Sequence, residues 1–264
     1  MQAVILGAGK STRNYPLTLT RPKPLIKIAN KTILEPSLDN LIGIANEVII
    51  VCGYKKEMII SQFGKKYKGI PIKYVEQKKQ LGTGHALMCV EKHIKGKFIM
   101  MAGDDLYSKK DIRKMIGYNY SILTAKTKNW EDFGVIVEKN KILVDFVEKP
   151  KEFVSDLINT SIYCLDRKIF SCLKKIKKTE RNEYELPDAI KMLSKEHKIK
   201  CIASTLWVPI GYPWDILKAD QILRKGKNNI EKSSKIHGKV KNSSIGKNCI
   251  VYGKVENSVL FDNV

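Results

Sequence analysis

The 264-residue chain has no apolar run long enough to cross a membrane. Its longest runs, around Glu47–Val51 and Phe98–Ala102, are strand-length, far short of the roughly 20 residues that a bilayer helix needs. Six cysteines are present, but no two are spaced as CxxC. Most fall inside apolar patterns, which argues for buried free thiols rather than a zinc or disulfide framework. Met1-Gln2 leads straight into Ala3-Val4-Ile5-Leu6, with no basic stretch before it and too short an apolar core for a signal peptide, so a cytoplasmic protein is expected. Arginine is scarce, at six of the 48 basic residues. The net charge of +21 therefore rests on lysines, which are scattered along the chain rather than gathered in a stripe. That distribution gives no nucleic-acid footprint. It does make a surface that would attract polyanions such as a nucleoside triphosphate.

What is there is an α/β pattern. At 43% apolar the chain can bury the core of one large domain with a small appendix. Ala3–Leu6 reads as a strand, Ile33–Ile44 as a helix, Glu47–Val51 as a strand, Lys55–Phe63 as a helix and Ile72–Val75 as a strand. Gly84–His93 then reads as a helix and Phe98–Ala102 as a strand. This alternation predicts a Rossmann-like, mixed but mostly parallel sheet with helices on both faces. Strands at 121–127, 134–138, 142–147 and 162–165 follow in close succession, then helices at 167–176, 184–193 and 214–223. The polar, lysine-rich stretch 226–234 reads as a linker after a domain spanning 1–225. Over 235–264, Val240, Ile245, Val251, Val255 and Leu260 recur every four to six residues with glycines between them, a near-hexapeptide spacing that suggests about two coils of a β-helix. So short a solenoid is expected to pack on the main domain or on another copy, making a homo-oligomer.

The strongest chemical signal is the turn after the first strand, Leu6-Gly7-Ala8-Gly9-Lys10-Ser11-Thr12-Arg13. Glycines let backbone amides close on phosphate oxygens, and the Arg13 fork can take two of them. It is not a Walker A loop, which would need a glycine where Val4 stands. Nor is it the dinucleotide fingerprint, which would need one at Thr12. Lys23, set between Pro22 and Pro24 in what reads as a stiff extended loop, is placed to neutralise a triphosphate.

GAGKSTRNYPLTLTRPKPL resembles the signature of the sugar-1-phosphate nucleotidylyltransferase family, whose usual form is GGxGTRLxPLTxxxPKP. The resemblance continues through Gln77 with Gln80-Leu81-Gly82-Thr83-Gly84-His85-Ala86, Gly103-Asp104, Gly134, Glu148-Lys149-Pro150, Asn159 and Gly211-Tyr212-Pro213-Trp214-Asp215. It is nearest to the thymidylyl- and uridylyltransferase types, and the terminal repeats resemble the left-handed β-helix that many members carry. The family likeness implies in-line attack of a sugar 1-phosphate on the α-phosphorus of UTP or dTTP, with pyrophosphate released and no covalent enzyme intermediate. It implies that Arg13 and Lys23 are catalytic. Leu6, Gly7, Ala8, Gly9, Gln77, Gly82 and Thr83 would bind the nucleotide, and Gly134, Glu148, Lys149 and Asn159 the sugar phosphate. Asp104 would hold a magnesium ion, Mg2+. His85 is expected to be structural and Asp105 to face solvent.

Three departures stand out. Ser11 replaces a loop glycine, and Asn14 replaces the usual leucine. Pro209 stands where the family commonly places a second acidic metal ligand, so Asp104 would act with water and substrate phosphates, or with Asp105 or Asp215. Pro209 also motivates a second reading, a non-catalytic scaffold. A third, nucleic-acid binding, rests on charge alone. With so few coils, no acetyl-transfer activity is expected.

Overall fold

The computed structural model describes residues 1–264. Its backbone divides into two compact units, Met1–Gly9 with Leu38–Gly103 and Tyr107–Trp207, and Lys10–Ser37 with Asp104–Leu106 and Val208–Val264. No helix is long and apolar enough to cross a membrane.

The first unit is built on a ten-stranded sheet. Its order is Gly134–Lys139, Ile142–Glu148, Lys200–Ala203, Ser121–Lys126, Leu157–Leu165, Phe98–Ala102, Gln2–Gly7, Glu47–Cys52, Ile70–Glu76 and Lys66–Tyr67. The opening strand lies inside the sheet, parallel to both Glu47–Cys52 and Phe98–Ala102. Ala3–Ile5 and Val48–Val51 are wholly buried, which is why these strands read as unbroken apolar runs rather than as alternation. Glu47–Cys52 is in turn parallel to Ile70–Glu76. Beyond this block the one other parallel pair is Ser121–Lys126 with Lys200–Ala203. The remaining pairings of the sheet are antiparallel. The sheet is mixed, as expected, but its parallel majority is corrected, since antiparallel pairings outnumber parallel ones. One physical reason is the two-residue turn between Gly134–Lys139 and Ile142–Glu148, which only antiparallel neighbours allow; Leu157–Leu165 also enters antiparallel to both Phe98–Ala102 and Ser121–Lys126.

The helix Leu186–Glu196 shows how a face is chosen. Leu186, Ala189, Ile190 and Leu193 are buried, the spacing of one helical stripe, while Pro187 sits in the first turn where its missing N–H costs nothing. The stripe joins a core with Phe170, Phe146, Tyr120 and Ile199. Leu157–Leu165 is longer than the four residues read as strand, and Ser161 within it has φ 59°, marking a bulge between Asn159 and Tyr163.

In the second unit the segment read as an extended loop is instead wound into turns, a helix at Leu17–Thr20 and a 3-10 turn at Lys23–Leu25. Proline's φ suits a first helical turn as well as an extended chain, and the sequence did not separate the two. The C-terminal strands form parallel sheets, Asn229–Ile230 with Ser244–Ile245 and Val259–Leu260, Lys235–Ile236 with Ile250–Val251, and Lys239–Lys241 with Lys254–Glu256. Each rung pairs with the one fifteen residues on, as do the Asn242–Asn257 and Asn248–Asn263 side-chain bonds. Coils of about five residues per face replace the near-hexapeptide spacing. The first rung, Asn229–Ile230, lies inside the 226–234 stretch read as a linker.

These coils are anchored to the helix Asp215–Leu223 and to the hairpin Lys27–Ile28/Lys31–Thr32. Asp220 and Arg224, both buried, form an ion pair at 2.5 Å. Asp220 Oδ1 also accepts from Ala29 N, while Arg224 donates to Asn242 Oδ1 and to Asn242 O. Lys27 reaches Asp262 at 2.6 Å. Removing one member of a buried pair strands the other charge. Asp220→Ala is therefore expected to cost about 3–5 kcal/mol in urea denaturation, and a loss within 1 kcal/mol (about a fifth of that range) would show that Arg224 finds water or another partner.

Candidate active site

Parallel strands present their carboxyl ends together, and ligands of open α/β sheets bind there. In this chain Gly7, Cys52 and Glu76 share one register across three neighbouring strands, and Leu6 is level with Ala102. The glycine turn Leu6-Gly7-Ala8-Gly9 therefore leaves the sheet beside Gly53 and Gln77. Tyr54 N donates to Ala8 O at 3.1 Å, and Gln77 N to Cys52 O at 2.8 Å. A Cβ on Gly53 would lie 2.9 Å from Ala8 O and 3.0 Å from Gln77 O, so only glycine lets these segments meet. Gly103 is pinned the same way, its N–H donating to Leu6 O at 2.9 Å.

The segment carrying Gly82 and Thr83 opens the helix Gly82–Met88. Gly82 has φ 91°, and a Cβ there would strike Tyr184 O at 2.6 Å. Gly84 N donates to Tyr184 O, Tyr184 N to Leu81 O, and Leu186 N to Thr83 Oγ1. Gln77 Nε2 donates to Gly82 O at 3.1 Å and lies 3.0 Å from His85 Nδ1. The residues read as nucleotide-binding in this unit thus belong to one connected patch of backbone and amide groups.

The residues read as sugar-phosphate-binding lie on neighbouring strands of the same sheet. Gly134 and Glu148 are register partners on antiparallel strands, and a Cβ on Gly134 would lie 2.7 Å from Glu148 Oε2. Lys149 N donates to Phe133 O, and Lys149 adopts φ 46°, turning the chain at the strand end. Asn159, buried, accepts from Ser161 N through Oδ1.

Sequence reasoning missed two members of this group. Arg181 Nη2 lies 2.8 Å from Glu185 Oε1 and 3.8 Å from Glu148 Oε1. Burial pushes the Glu148 carboxyl up, against the pull of Arg181 and Lys149. Burial also pushes Glu185 up to about 7; Arg181 opposes the shift, while Glu148 and Glu183 add to it. The Arg181 guanidinium is thus shared between two carboxylates, Glu185 closely and Glu148 at longer range. The signal available beforehand was the charged run Glu180-Arg181-Asn182-Glu183-Tyr184-Glu185, which on its own looks like a solvated loop.

The second unit holds Arg13, Lys23 and Asp104. Lys23, 3% exposed, places its ammonium 2.7 Å from Asp104 Oδ2. Ser11 has φ 52°, the left-handed conformation for which the usual glycine is suited. Asn14 is explained by its contact, since its Nδ2 donates to Gly211 O at 2.9 Å. Arg13 lies 5.2 Å over the Tyr212 ring, which stacks on Trp214 at 4.7 Å. Asp215 and Asp105 are committed locally, Asp215 Oδ2 accepting from Tyr212 N and Asp105 Oδ1 from Ile210 N. Asp105 is thus a half-buried backbone anchor rather than a solvent-facing residue. No group of three or more His, Cys, Asp or Glu side chains could hold a metal ion. The donor set fits a magnesium-type site only in its sparsest form, in which one hard carboxylate, half-exposed Asp104, is completed by water and phosphate oxygens.

The raised Glu185 carboxyl has a pH signature. Its folded pKa, about 7, lies above its ordinary value of 4.5, so its protonation favours the folded state. That stability is fully present below about 4.5 and is lost as pH rises through 7. Thermal melting of Glu185→Gln is expected to show a flatter pH dependence than the parent across that window. Parallel curves would place the proton elsewhere.

A family model described as nucleotidyl transferase matches residues 2–226. Over 254 residues the chain is 39% identical to the bifunctional protein GlmU of Methanococcus vannielii, covering 91% of this chain and 60% of that relative's length. It is 35% identical over 236 residues to the UTP–glucose-1-phosphate uridylyltransferase AglF of Haloferax volcanii, covering 85% of this chain and 97% of that protein. A UDP-glucose pyrophosphorylase solved with UDP-glucose shares the fold at a TM-score of 0.77 and 23% identity, over 85% of this chain and 98% of its own. By this match and by its mixed α/β fold, the chain belongs to the nucleotidyl transferase family.

Proposed function

We propose that the chain joins a sugar 1-phosphate to UTP or dTTP, giving a nucleotide sugar and pyrophosphate. The observation that carries this reading is the grouping of Gly134, Glu148 and Asn159, with Arg181 reaching Glu148 from a loop, on the sheet that also brings the Leu6–Gly9 turn level with Gln77.

The chemistry asks mainly for positioning and charge neutralisation, because one phosphate oxygen attacks another phosphorus in line. Backbone amides of the Leu6–Gly9 turn would hold phosphate oxygens, and Arg13, steadied on Tyr212, would take the charge that builds up on the leaving pyrophosphate. Lys23 serves first to orient Asp104, and its ammonium becomes available to phosphate when the carboxylate has another cation to satisfy it. Asp104 would hold a magnesium ion, which when bound supplies positive charge to the reacting phosphates. Glu148 would accept from sugar hydroxyls and Asn159 from or to them. Lys149 and Arg181 would meet the sugar phosphate, with Arg181 exchanging part of its hold on Glu185 for the substrate oxygen. Gln77, Gly82 and Thr83 would read the base.

We read residues 1–225 as the catalytic domain. The fifteen-residue coils form a left-handed β-helix through which copies of the chain associate. Such chemistry belongs with the nucleotide pools of the cytoplasm.

A pyrophosphate-release screen of four nucleoside triphosphates against several sugar 1-phosphates, with magnesium, is expected to show turnover with UTP or dTTP. No turnover in any combination refutes the proposal. Lys23→Ala and Asp104→Ala are each expected to lower kcat/KM by about 100-fold or more, the scale of losing one transition-state charge contact. Both variants should still melt cooperatively, Asp104→Ala at a lower temperature because it strands the buried Lys23 ammonium, and near-parental rates would mean the site is misassigned.

A further inference from the structure

The amide of Gln77 is almost sealed from solvent, with 4% of the residue exposed. A primary amide offers two N–H donors on one side and an acceptor oxygen on the other, so its partners decide which way round it sits. Gly82 O, 3.1 Å from Nε2, can only accept. The NH2 group must therefore face it, and its second proton is left pointing at His85 Nδ1, 3.0 Å away. That nitrogen must then present a lone pair, which places the imidazole proton on Nε2. Both Gln77 donors are consumed within the protein, and no protein group donates to Oε1, which is not sealed in.

His85 is itself held. Its ring stacks against Tyr184 at 6.5 Å and 24°, and Tyr184 is bound front and back by Leu81 and Gly84. The charged group facing it is Lys178, which also lies 5.7 Å over the Tyr184 ring. Burial first and Lys178 second depress its basicity, so the neutral ring needed here is the favoured one.

We propose that His85 is a positioning residue for base selection: by accepting from Gln77 Nε2 it locks the amide with Oε1 outward, so that the site accepts an imide N3–H and repels a base whose N3 is a lone pair. This rests on the reading of Gln77 as a base contact. Uracil and thymine carry the N3–H. Cytosine has the same ring size but the opposite polarity at that position, so it isolates the hydrogen bond from shape. Flipping the amide to suit cytosine would turn Oε1 onto Gly82 O and lose the His85 bond, leaving buried acceptors unmatched.

The test is calorimetric titration of UTP and CTP into the parent, His85→Leu and His85→Asn proteins, with steady-state kinetics alongside. The parent is expected to prefer UTP by about 100-fold or more, on the scale of discrimination by a buried polar contact. His85→Leu should narrow that ratio at least about tenfold, the worth of one hydrogen bond, raising KM for UTP while kcat and the sugar-phosphate KM stay within about threefold. His85→Asn should keep the preference, because an Asn Oδ1 can stand where Nδ1 stands and accept the same proton. UTP affinity in the parent should fall at acid pH, where an Nδ1–H would oppose the Gln77 NH2, and His85→Asn should lack that limb. An unchanged UTP/CTP ratio in His85→Leu overturns the proposal, as does equal loss in both variants or a parent that binds both nucleotides alike. If His85→Leu does not fold, the Asn variant and its pH profile decide. A parent that binds UTP over CTP, and loses the preference as described but turns over no substrate, would refute the transferase reading and leave this one standing.

Discussion

A lysine ammonium shut away from water obliges the chain to bring a carboxylate to it, and the Lys23–Asp104 pair is that obligation met. Lys23 is fixed at the start of a 3-10 turn whose prolines hold the backbone, and Asp104 follows the strand Phe98–Ala102 by two residues. Neither side can drift without stranding a charge. The pair is asymmetric, with the ammonium buried and the carboxylate half exposed at 38%. One carboxylate oxygen therefore stays available to an incoming cation while the other is spoken for. The same asymmetry means that losing the aspartate strands a buried ammonium, whereas losing the lysine leaves a carboxylate that water can reach.

What could be read from residues alone follows from which forces act locally. The opening strand and its glycine turn were legible because a fully buried parallel strand is an unbroken apolar run, as Ala3–Ile5 is, and because the small residues Gly7-Ala8-Gly9 follow it at once. Gly134 and Glu148 were legible only through family likeness, since their pairing joins strands by register. The helix Lys109–Met115 and the strand Lys200–Ala203 escaped notice because the first is mostly polar and the second is four residues long. Arg181 and Glu185 were missed because a charged segment reads the same whether solvated or folded against other charges. The coil length was misjudged because apolar beats spaced four to six residues apart fit five per face as well as six, and only the hydrogen-bond register separates them.

The departures from the usual family pattern are explained as a group rather than singly. A leucine after Arg13 could only pack, whereas Asn14 donates to Gly211 O and ties the Arg13 turn to the 211–215 turn. That second turn is built for the purpose. Tyr212 N is satisfied by Asp215 Oδ2, Ile210 N by Asp105 Oδ1, and the Tyr212 ring lies under the Arg13 guanidinium with Trp214 stacked behind it. A cation over an aromatic face gains roughly 0.5–2 kcal/mol, comparable to the ordering cost of a long side chain. The platform therefore offsets the entropy of holding Arg13 in one place. Asn14 Oδ1 remains buried without a partner, so the tie is not free of cost.

Pro209 then takes on a different meaning. A second acidic ligand at that position would have to be held by the same short segment that now anchors Arg13. Asp105 and Asp215 each accept a backbone N–H, from residues 210 and 212, through one carboxylate oxygen. A magnesium ion held by one protein carboxylate takes its remaining ligands from water and phosphate. Metal affinity should consequently depend on bound nucleotide more than on the empty protein. Pro209 thus falls in the same short segment, 207–215, whose Gly211, Tyr212 and Trp214 hold Asn14 and Arg13.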